Sequence, residues 1–426
     1  MAVAILFGVL LVLLVMGVPV AFALIAAALA TVLYLDMPAI VVVQQTAAGA
    51  GITSLLAIPL FIFAGEMMMR GGISDRLIAL AAALVGHMRG GLGQVNVLAS
   101  LFFGGVSGSA IADVSAIGGT MIPQMVQRRY DRDFAVNVSI SAAIVALLVP
   151  PSHNLILYSA AAGGTISIAD LFAAGIVPAL LLTAVLMLTG WIIARRRGYG
   201  TEPFPGMREV VRRFVAALPG LLLVAMIFIG IRAGIFTAIE SASIAVIYAV
   251  LVTGLVYRRL TLAIFVETCF GALRTTGLIL FIIGAAASFG WLLAYLQVPA
   301  AAVDTLSGIS ENKNVVLLVM VLSLLALGTF MDLAPLIIIC TPIFLPVAKA
   351  IGVDPVHFGV ILILKGGIGL ITPPVGSVLF VGTAIGKISV TETLRTIWPF
   401  YLATLAVLFI ITFVPILSLW LPALLK

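Results

Sequence analysis

Two short polar segments interrupt long apolar runs and carry side chains that could bind an ion or an acid. Residues 149–154 read VPPSHN, and residues 372–377 read TPPVGS. Proline lacks the amide donor and clashes with the preceding turn, so a diproline unwinds a helix. The freed carbonyls can face a cation, and the following half-helix offers bare N–H groups to an anion. We interpret both diprolines as breaks that form a binding site, to which Ser152 and Asn154 add polar atoms. For one break alone, a simple proline kink is the alternative.

A second pair of segments is rich in small residues. Residues 102–119 read FFGGVSGSAIADVSAIGG, and the later segment reads LALGTFMDLAPL (325–336). We expect one helical hairpin over residues 91–126 that turns at GGVSGS. A mirrored hairpin over residues 314–349 is expected to turn near Gly328-Thr329. Close helix packing explains some of the small residues equally well.

Each of these segments also contains an aspartate, Asp113 or Asp332. An aspartate at mid-membrane depth costs about 2.5–3.5 kcal/mol on insertion scales, so it should have a compensating role. Capping a broken helix and binding a cation are equally good explanations for either residue.

The elements that position these segments are predicted to be membrane-spanning helices. The chain has 426 residues, of which 63% are hydrophobic and 9% are charged, whereas soluble domains carry about 25% charged residues. Runs such as residues 1–35 and 401–425 contain no charge and reach the ~20 residues that cross a hydrocarbon core. A β-barrel would show alternating polarity instead. We therefore predict an all-α polytopic membrane protein in a lipid bilayer. Its net charge of +6 reflects loop arginines, with no nucleic-acid partner.

The chain contains two related halves, which we predict to be inverted relative to each other. Asp113 aligns with Asp332, and the two diprolines follow in the same order. The arginine-rich stretch between the halves is predicted to be cytoplasmic, which places both termini, including Lys426, outside. Inverted repeats are typical of secondary transporters and also occur in channels, so the pattern predicts transport without fixing its mechanism. The predicted units are a first inverted repeat at 1–194, a basic cytoplasmic linker at 195–213 and a second inverted repeat at 214–426.

Motifs spread over nearly the whole chain resemble one transporter family. In chain order they are PLFIFAGEMM (59–68), VNVLASLFFGGVSGSAIADVSAIG (95–118), VPPS (149–152), FTAIESASIAV (236–246), LRTTGLILFIIGAA (273–286), GTFMDLAPLIIICTPIFLPV (328–347) and GLITPPVG (369–376). They resemble the large membrane subunit, of the DctM or SiaM type, of tripartite ATP-independent periplasmic (TRAP) transporters.

The resemblance implies sodium-coupled uptake of an organic acid by an elevator mechanism. A transport domain of re-entrant hairpins and interrupted helices would move against a scaffold that includes residues 1–35 and 214–257. The expected partners are a small four-helix membrane subunit and a periplasmic substrate-binding protein that delivers the acid. The expected location is a bacterial inner membrane, with both termini periplasmic. The implied protein is a transporter and not an enzyme, with sodium as the coupling ion and no cofactor.

The resemblance also implies the residues that bind sodium and substrate. Ser107, Ser109 and Asp332 suit one sodium site, and Thr372, Gly376 and Thr383 suit another, because they supply hydroxyl, carboxylate and unwound carbonyl oxygens. The predicted sodium-binding set is Ser107, Ser109, Asp113, Gly328, Asp332, Thr372, Gly376 and Thr383. The predicted substrate-binding set is Ser152, His153, Asn154, Lys365 and Ser377.

His153 and Lys365 depart from the family pattern, which has an apolar residue after PPS and often an amide near position 365. A lysine within a span is expensive unless it is paired. Its expected partner is Asp332 or a substrate carboxylate, and a pair would replace or weaken one sodium site. Snorkelling to an interface is the alternative. His153 either donates to a substrate hydroxyl or only helps to break the helix.

Four other charges are expected to pair between helices or at the domain junction: Glu66, Glu240, Glu267 and Arg274.

Two other functions compete with this interpretation. A membrane enzyme is improbable because the sequence has no HExxH motif and no clustered Cys and His. A binding-protein-independent sodium/carboxylate symporter would use the same hairpins. The substrate classes left open are C4-dicarboxylates, sialic acid, sugar acids and keto acids. His153 and Lys365 favour a hydroxylated monocarboxylate such as a sugar acid.

Overall fold

A computed structural model describes residues 1–308, 310 and 312–425, and the expected outside position of Lys426 lies outside the described residues. Across these residues the chain is α-helical and contains no strand. The helices, numbered in chain order, are α1 Ala2–Val15, α2 Val20–Tyr34, α3 Ile40–Ala50, α4 Ala57–Arg70, α5 Ile73–Val85, α6 Gly91–Ser107, α7 Ala110–Asp113, α8 Gly119–Gln127, α9 Arg132–Ala142, α10 His153–Ala161, α11 Ile168–Arg196, α12 Met207–Arg232, α13 Ala238–Leu251, α14 Leu262–Tyr295, α15 Val298–Ser307, α16 Lys313–Phe330, α17 Leu333–Ala350, α18 Pro355–Leu370, α19 Ser377–Gly386, α20 Val390–Thr396, α21 Trp398–Phe413 and α22 Ile416–Leu424.

Several of these helices are long and apolar enough to cross a membrane. Among the described residues six helices meet this description, or up to eight if two sharply bent pairs each count as one span. The longest, α14, has 34 residues. The predicted all-α polytopic membrane fold is confirmed.

Both predicted hairpins and both predicted breaks are present, in the same order in each half. Helix α6 is the first arm of the first hairpin, and α7, a π-helical turn (Val114–Gly118) and α8 together form its second arm. Helices α16 and α17 form the second hairpin. Each diproline separates two helices, α9 from α10 and α18 from α19. A 3-10 turn, Ala143–Leu147, extends α9 towards the first break. The division of the chain into two inverted repeats and a linker stays a prediction.

The turn of the second hairpin lies later in the chain than the sequence indicated. Gly328 is buried inside α16, and the helix ends at Phe330. Met331 is extended, and Asp332 is the N-cap of α17. The turn therefore lies three residues after the predicted position near Gly328-Thr329. Helix α16 continues through Gly328, because the missing side chain leaves room for the neighbouring Lys365.

The repeat alignment also needs a correction at the aspartates. Ser109 is the N-cap of α7, so it occupies the place in the first hairpin that Asp332 occupies in the second. Asp113 lies one turn further on, where its N–H donates to the Ser109 carbonyl at 2.9 Å. The sequence alignment paired Asp113 with Asp332 because both are aspartates, but the two residues do not occupy equivalent positions in the structure.

The non-helical segment that joins the two halves is short, because α11 ends at Arg196 and α12 begins at Met207. Within it, Arg197 forms ion pairs with Asp131 at 2.9 Å and with Asp133 at 2.7 Å. The Tyr199 hydroxyl donates to Asp131 at 2.7 Å, and burial raises the pKa of Tyr199 to about 12. These contacts attach the segment to the beginning of α9.

Helix α14 packs against α2, α3 and α4. It therefore lies at the centre of one group of helices. Its contact with α3 depends on small residues. A Cβ on Gly49 would lie 2.1 Å from the Ala287 Cβ, and a Cβ on Gly284 would lie 2.8 Å from the Thr46 carbonyl oxygen. Such close approach is typical of tightly associated membrane helices. We call α1–α4 and α12–α14 the outer group.

Candidate functional site

The first hairpin turns directly against the first diproline. Helix α6 ends at Ser107, Gly108 has a φ of +60°, and α7 begins at Ala110. A Cβ on Gly108 would lie only 2.8 Å from the Pro151 carbonyl oxygen. Gly108 is needed both for its left-handed backbone and for this close approach. We call residues 107–109 and 150–154 the first tip–break unit.

Hydrogen bonds hold the first tip–break unit together. The Asn154 side-chain amide donates to the Gly108 carbonyl at 3.2 Å, which joins the break to the hairpin tip. The Ser152 hydroxyl donates to the Leu147 carbonyl at 2.7 Å across the unwound diproline. Ser109 caps α7 by accepting from the Ala112 N–H at 3.4 Å, and Ser107 accepts from the Ser109 N–H at 3.4 Å. Every polar side chain that holds this unit together is neutral.

The second hairpin meets the second diproline in a similar way. The Val375 N–H donates to the Thr329 carbonyl at 3.2 Å, so the break touches α16. Asp332 accepts from the Leu333 N–H at 2.8 Å, and the Ser377 hydroxyl donates to the same carboxylate oxygen at 3.4 Å. We call residues 331–332 and 371–377 the second tip–break unit. It carries a carboxylate at the position where the first unit has a serine.

Other residues shape the second break. The Thr372 hydroxyl donates to the Ile368 carbonyl at 2.7 Å. Gly376 has a φ of +28°, and a Cβ there would lie 3.1 Å from the Thr372 carbonyl oxygen. The Tyr401 hydroxyl on α21 donates to the Ile371 carbonyl. Sequence reasoning missed Tyr401, because its role depends only on tertiary packing.

Two adjoining cavities lie beside the tip–break units. Their volumes are about 360 and 460 Å³, and both are lined by Ser109, His153 and Thr275. Ser107 lines only the smaller cavity, whereas Asn154 and Asp332 line only the larger one. Five of the predicted site residues, from both halves of the chain, are therefore brought together here.

Other predicted site residues lie away from the cavities. The Thr383 hydroxyl donates to the Phe380 carbonyl at 3.0 Å inside α19. Asp113 is buried and accepts from the Ser100 hydroxyl at 2.7 Å, while its Oδ1 has no hydrogen-bond partner in the described part of the chain. Gly328 lies against Lys365, since a Cβ there would be 2.5 Å from the Lys365 Nζ. The roles of these residues in binding stay predictions.

Lys365 is the most deeply buried positive charge in the described residues. Its side chain is fully buried, and its Nζ has no hydrogen-bond partner in that region. Neither snorkelling nor the expected pair with Asp332 occurs: no ion pair joins them, and Asp332 instead bonds to Leu333 and Ser377. Lys365 and Asp332 lie on different elements, and a sequence comparison could not place their side chains.

Of the four charges expected to pair between helices or at the domain junction, two form ion pairs. Arg70 of α4 lies 2.7 Å from Glu267 of α14, which joins the two helices, and 3.5 Å from Glu66 on its own helix. Glu240 instead closes a capping box with Thr237 at the start of α13. Arg274 is exposed, lines the larger cavity and forms no ion pair within the described residues. The pairing prediction is therefore wrong for Glu240 and Arg274.

The site combines hydroxyl, carboxylate and backbone carbonyl oxygens. Serine hydroxyls, the Asp332 carboxylate and unwound carbonyls are the ligands with which interrupted membrane helices hold sodium. Among the described residues, no group of three His, Cys, Asp or Glu side chains is arranged to hold a metal ion. Polar groups on otherwise apolar walls, at the junction of broken helices, are typical of a transport site.

The fold and the cavities define a polytopic membrane transporter. One solved structure with the same fold is the Alcanivorax borkumensis YdaH transporter, at a TM-score of 0.61 and 16% identity, covering 92% of this chain and 88% of that one. Residues 7–417 match the DctM component of the tripartite ATP-independent periplasmic transporters. The chain belongs to this family, which confirms the resemblance.

Several named relatives match almost the whole of this chain. The 2,3-diketo-L-gulonate TRAP transporter large permease protein YiaN of Escherichia coli is 37% identical, covering 97% of each chain. The sialic acid TRAP transporter large permease protein SiaM of Vibrio cholerae is 38% identical, covering 96% of this chain and 95% of its own. The C4-dicarboxylate TRAP transporter large permease protein DctM of Rhodobacter capsulatus is 34% identical, covering 100% of each. The chain is thus similar to permeases named for different organic acids.

Proposed function

We propose that this chain is the membrane permease of a sodium-driven uptake system for a hydroxylated organic acid. The observation that carries the proposal is the junction of both tip–break units at two adjoining cavities. There, Asp332 offers a carboxylate for a cation, while His153 and Asn154 offer neutral polar atoms for hydroxyl groups. Two relatives, named for 2,3-diketo-L-gulonate and sialic acid, support an acid that also carries hydroxyl groups.

Sodium binding is proposed at both tip–break units. In the second unit Asp332 supplies charge, and Ser377 and the unwound backbone supply further oxygens. In the first unit Ser107 and Ser109 supply hydroxyls, and Asp113 lies one turn behind them with a free buried oxygen. A negative charge so close to the hairpin tip favours a cation there through space.

An elevator movement is proposed because of the contact between the outer group and the transport elements. Helix α17 packs against α14, and α10 lies across from α14 at a seam whose lining includes the small residues Ala160, Ala161, Ala286 and Gly290. A cavity of about 210 Å³ remains along this seam. Small side chains with little interlocking allow one group of helices to slide past another. The hairpins and interrupted helices would move together as the transport domain.

The proposed partners are a small four-helix membrane subunit and a periplasmic binding protein that delivers the acid. Membership of the tripartite family supports both. The proposed location is a bacterial inner membrane with both termini periplasmic, as the arginine-rich segment between the halves indicates.

The test is uptake by the complete system in proteoliposomes. Permease, small subunit and binding protein are combined, and a panel of radiolabelled sugar acids, keto acids, sialic acid and dicarboxylates is supplied. We expect accumulation of at least one acid only with an inward sodium gradient and only with the binding protein. Accumulation without the binding protein would support the binding-protein-independent symporter instead. Equal accumulation without a sodium gradient would exclude sodium coupling.

A further inference from the structure

We infer that Arg274 binds the carboxylate of the transported acid and that Asp332, in the same cavity, selects acids that have only one carboxylate. This inference rests on the proposed function, because it assumes that the larger cavity holds the acid. It assigns a role to a charged side chain that neither the repeat pattern nor the break motifs identify.

Arg274 lies at the edge of a stretch that can span the membrane. It is twelve residues after Leu262, the first residue of α14, which is about 18 Å along the helix. α14 continues for a further 21 residues to Tyr295, none of them charged, which is long enough to cross a hydrocarbon core. A charged side chain beside such a stretch is stable only where it faces water or binds a partner. The cavity that Arg274 lines provides that environment.

The acidic side chains nearest to Arg274 on this face of α14 already have a partner. Glu267 precedes Arg274 by seven residues, so it lies two turns away on the same face. Glu267 and Glu66 both bind Arg70. Gly271 of α14 lies beside Glu66, since a Cβ on Gly271 would be 3.6 Å from the Glu66 carboxyl carbon. Arg274 therefore has no ion-pair partner among the residues that the structure describes, and its guanidinium can donate to a carboxylate in a bidentate pair.

The rest of the cavity accounts for the selectivity. Asp332, His153 and Asn154 line the same space as Arg274, and no ion pair joins Arg274 to Asp332. A single guanidinium satisfies one carboxylate. With sodium at Asp332 and one carboxylate at Arg274, the charges of the site are balanced. A second carboxylate would add an uncompensated negative charge beside Asp332, which is costly in a partly desolvated site. Hydroxyl groups suit this part of the cavity better. Asp332 can accept hydrogen bonds from them, and the Asn154 amide can both donate to them and accept from them.

The two groups also belong to different parts of the fold. Arg274 is on α14 of the outer group, whereas Asp332 and Asn154 belong to the tip–break units. An acid that contacts both would be held at the junction of the outer group and the transport elements.

The experiment measures binding by the purified permease and its small subunit in nanodiscs. The probes are gluconate, gluconamide and glucarate, which share one polyhydroxyl backbone and carry one, no and two carboxylates. We expect wild type to prefer gluconate over both others. In Arg274→Gln the gluconate Kd should rise roughly 10- to 100-fold, as expected for a lost charged hydrogen-bond pair. The gluconamide Kd should change by less than about threefold, since that probe has no charge to lose. The gluconate Kd of Arg274→Lys should lie between those of wild type and Arg274→Gln, because lysine keeps the positive charge but cannot form a bidentate pair with a carboxylate.

The control is Arg208→Gln, which removes an exposed arginine in the first turn of α12 and should leave all three affinities unchanged. The thermal midpoint of each variant without probe shows whether it is folded. In Asp332→Asn the ratio of glucarate to gluconate affinity should rise about tenfold, the equivalent of about 1.4 kcal/mol.

Arg274→Gln with an unchanged preference for gluconate over gluconamide would overturn the Arg274 assignment. Wild type that binds glucarate as well as gluconate would overturn the selective role of Asp332. Either result is separate from the failure of the proposed function, which would appear as sodium-independent uptake or no uptake of any acid.

Discussion

The two tip–break units share a backbone plan and differ in their charges. In each unit a hairpin tip lies against a diproline break, and an N-cap side chain starts the second helix of the hairpin. The cap is Ser109 in the first unit and Asp332 in the second. A neutral tip and an acidic tip therefore face adjoining cavities. The repeated backbone sets the geometry, and single side chains decide which ligand each half can hold.

The units also differ in how tightly tip and break are joined. Gly108 has its Cα against the Pro151 carbonyl and receives the Asn154 amide on its own carbonyl. The second unit is joined by the bond from Val375 to Thr329, and Tyr401 supports its break from α21. We expect the first unit to tolerate less change at its glycine than the second.

The largest expected effect comes from Gly108→Ala, with Gly376→Ala as the matched change in the other unit. An alanine at position 108 must adopt a left-handed backbone and also displace the Pro151 carbonyl. The combined cost is about 2–4 kcal/mol. At position 376 the cost is about 1–2 kcal/mol, mainly from the backbone. Thermal unfolding of both variants in the same detergent measures the difference. An equal loss of stability in the two variants, or a larger loss in Gly376→Ala, would contradict the tighter contact between tip and break in the first unit.

The next effect concerns the movement of both units against the outer group. A Cβ on Gly290 would meet nothing within 4 Å, so Gly290→Leu should fold normally and fill the seam cavity. We expect gluconate binding to stay within about twofold of wild type, while uptake falls at least about tenfold because sliding is blocked. Binding and uptake are measured on the same preparation. Full uptake by this variant would speak against movement at the seam.

A smaller effect distinguishes the carboxylates of the two halves. Asp332→Asn should raise the sodium concentration for half-maximal uptake about tenfold, because it removes a charge at the cavity. Asp113→Asn should raise it only about threefold, because Asp113 is buried behind Ser109 and acts through space. Sodium titrations of uptake measure both values. An unchanged titration for Asp332→Asn would remove this residue from the ion site.

The smallest expected effect is at Lys365. Among the described residues the buried Lys365 Nζ has no hydrogen-bond partner, which costs free energy of folding, and methionine has a similar volume without the polar head group. Lys365→Met should therefore stabilise the protein by about 1 kcal/mol or more and leave gluconate affinity within about twofold. A large loss of gluconate affinity would restore Lys365 to the substrate site and contradict its position outside the cavities.

The local features of the fold could be predicted from the sequence, and the pairing of distant side chains could not. Diprolines and a left-handed glycine act within a few residues, so both breaks and the first turn were predictable. The equivalence of Ser109 and Asp332 was missed because Asp113 matched Asp332 by letter. The position of Arg274 in the cavity and the isolation of Lys365 depend on which helices pack together. No short sequence pattern encodes that packing.

The central claim is that both tip–break units and α14 contribute to one site for an acid and its sodium ions. The most direct measurement is a cryo-electron microscopy map of the large and small subunits in a nanodisc, with sodium and saturating gluconate. We predict density for the acid in the larger cavity, in contact with Arg274 and with side chains of both units. Density for gluconate outside this cavity, or in contact with only one unit, would contradict the account.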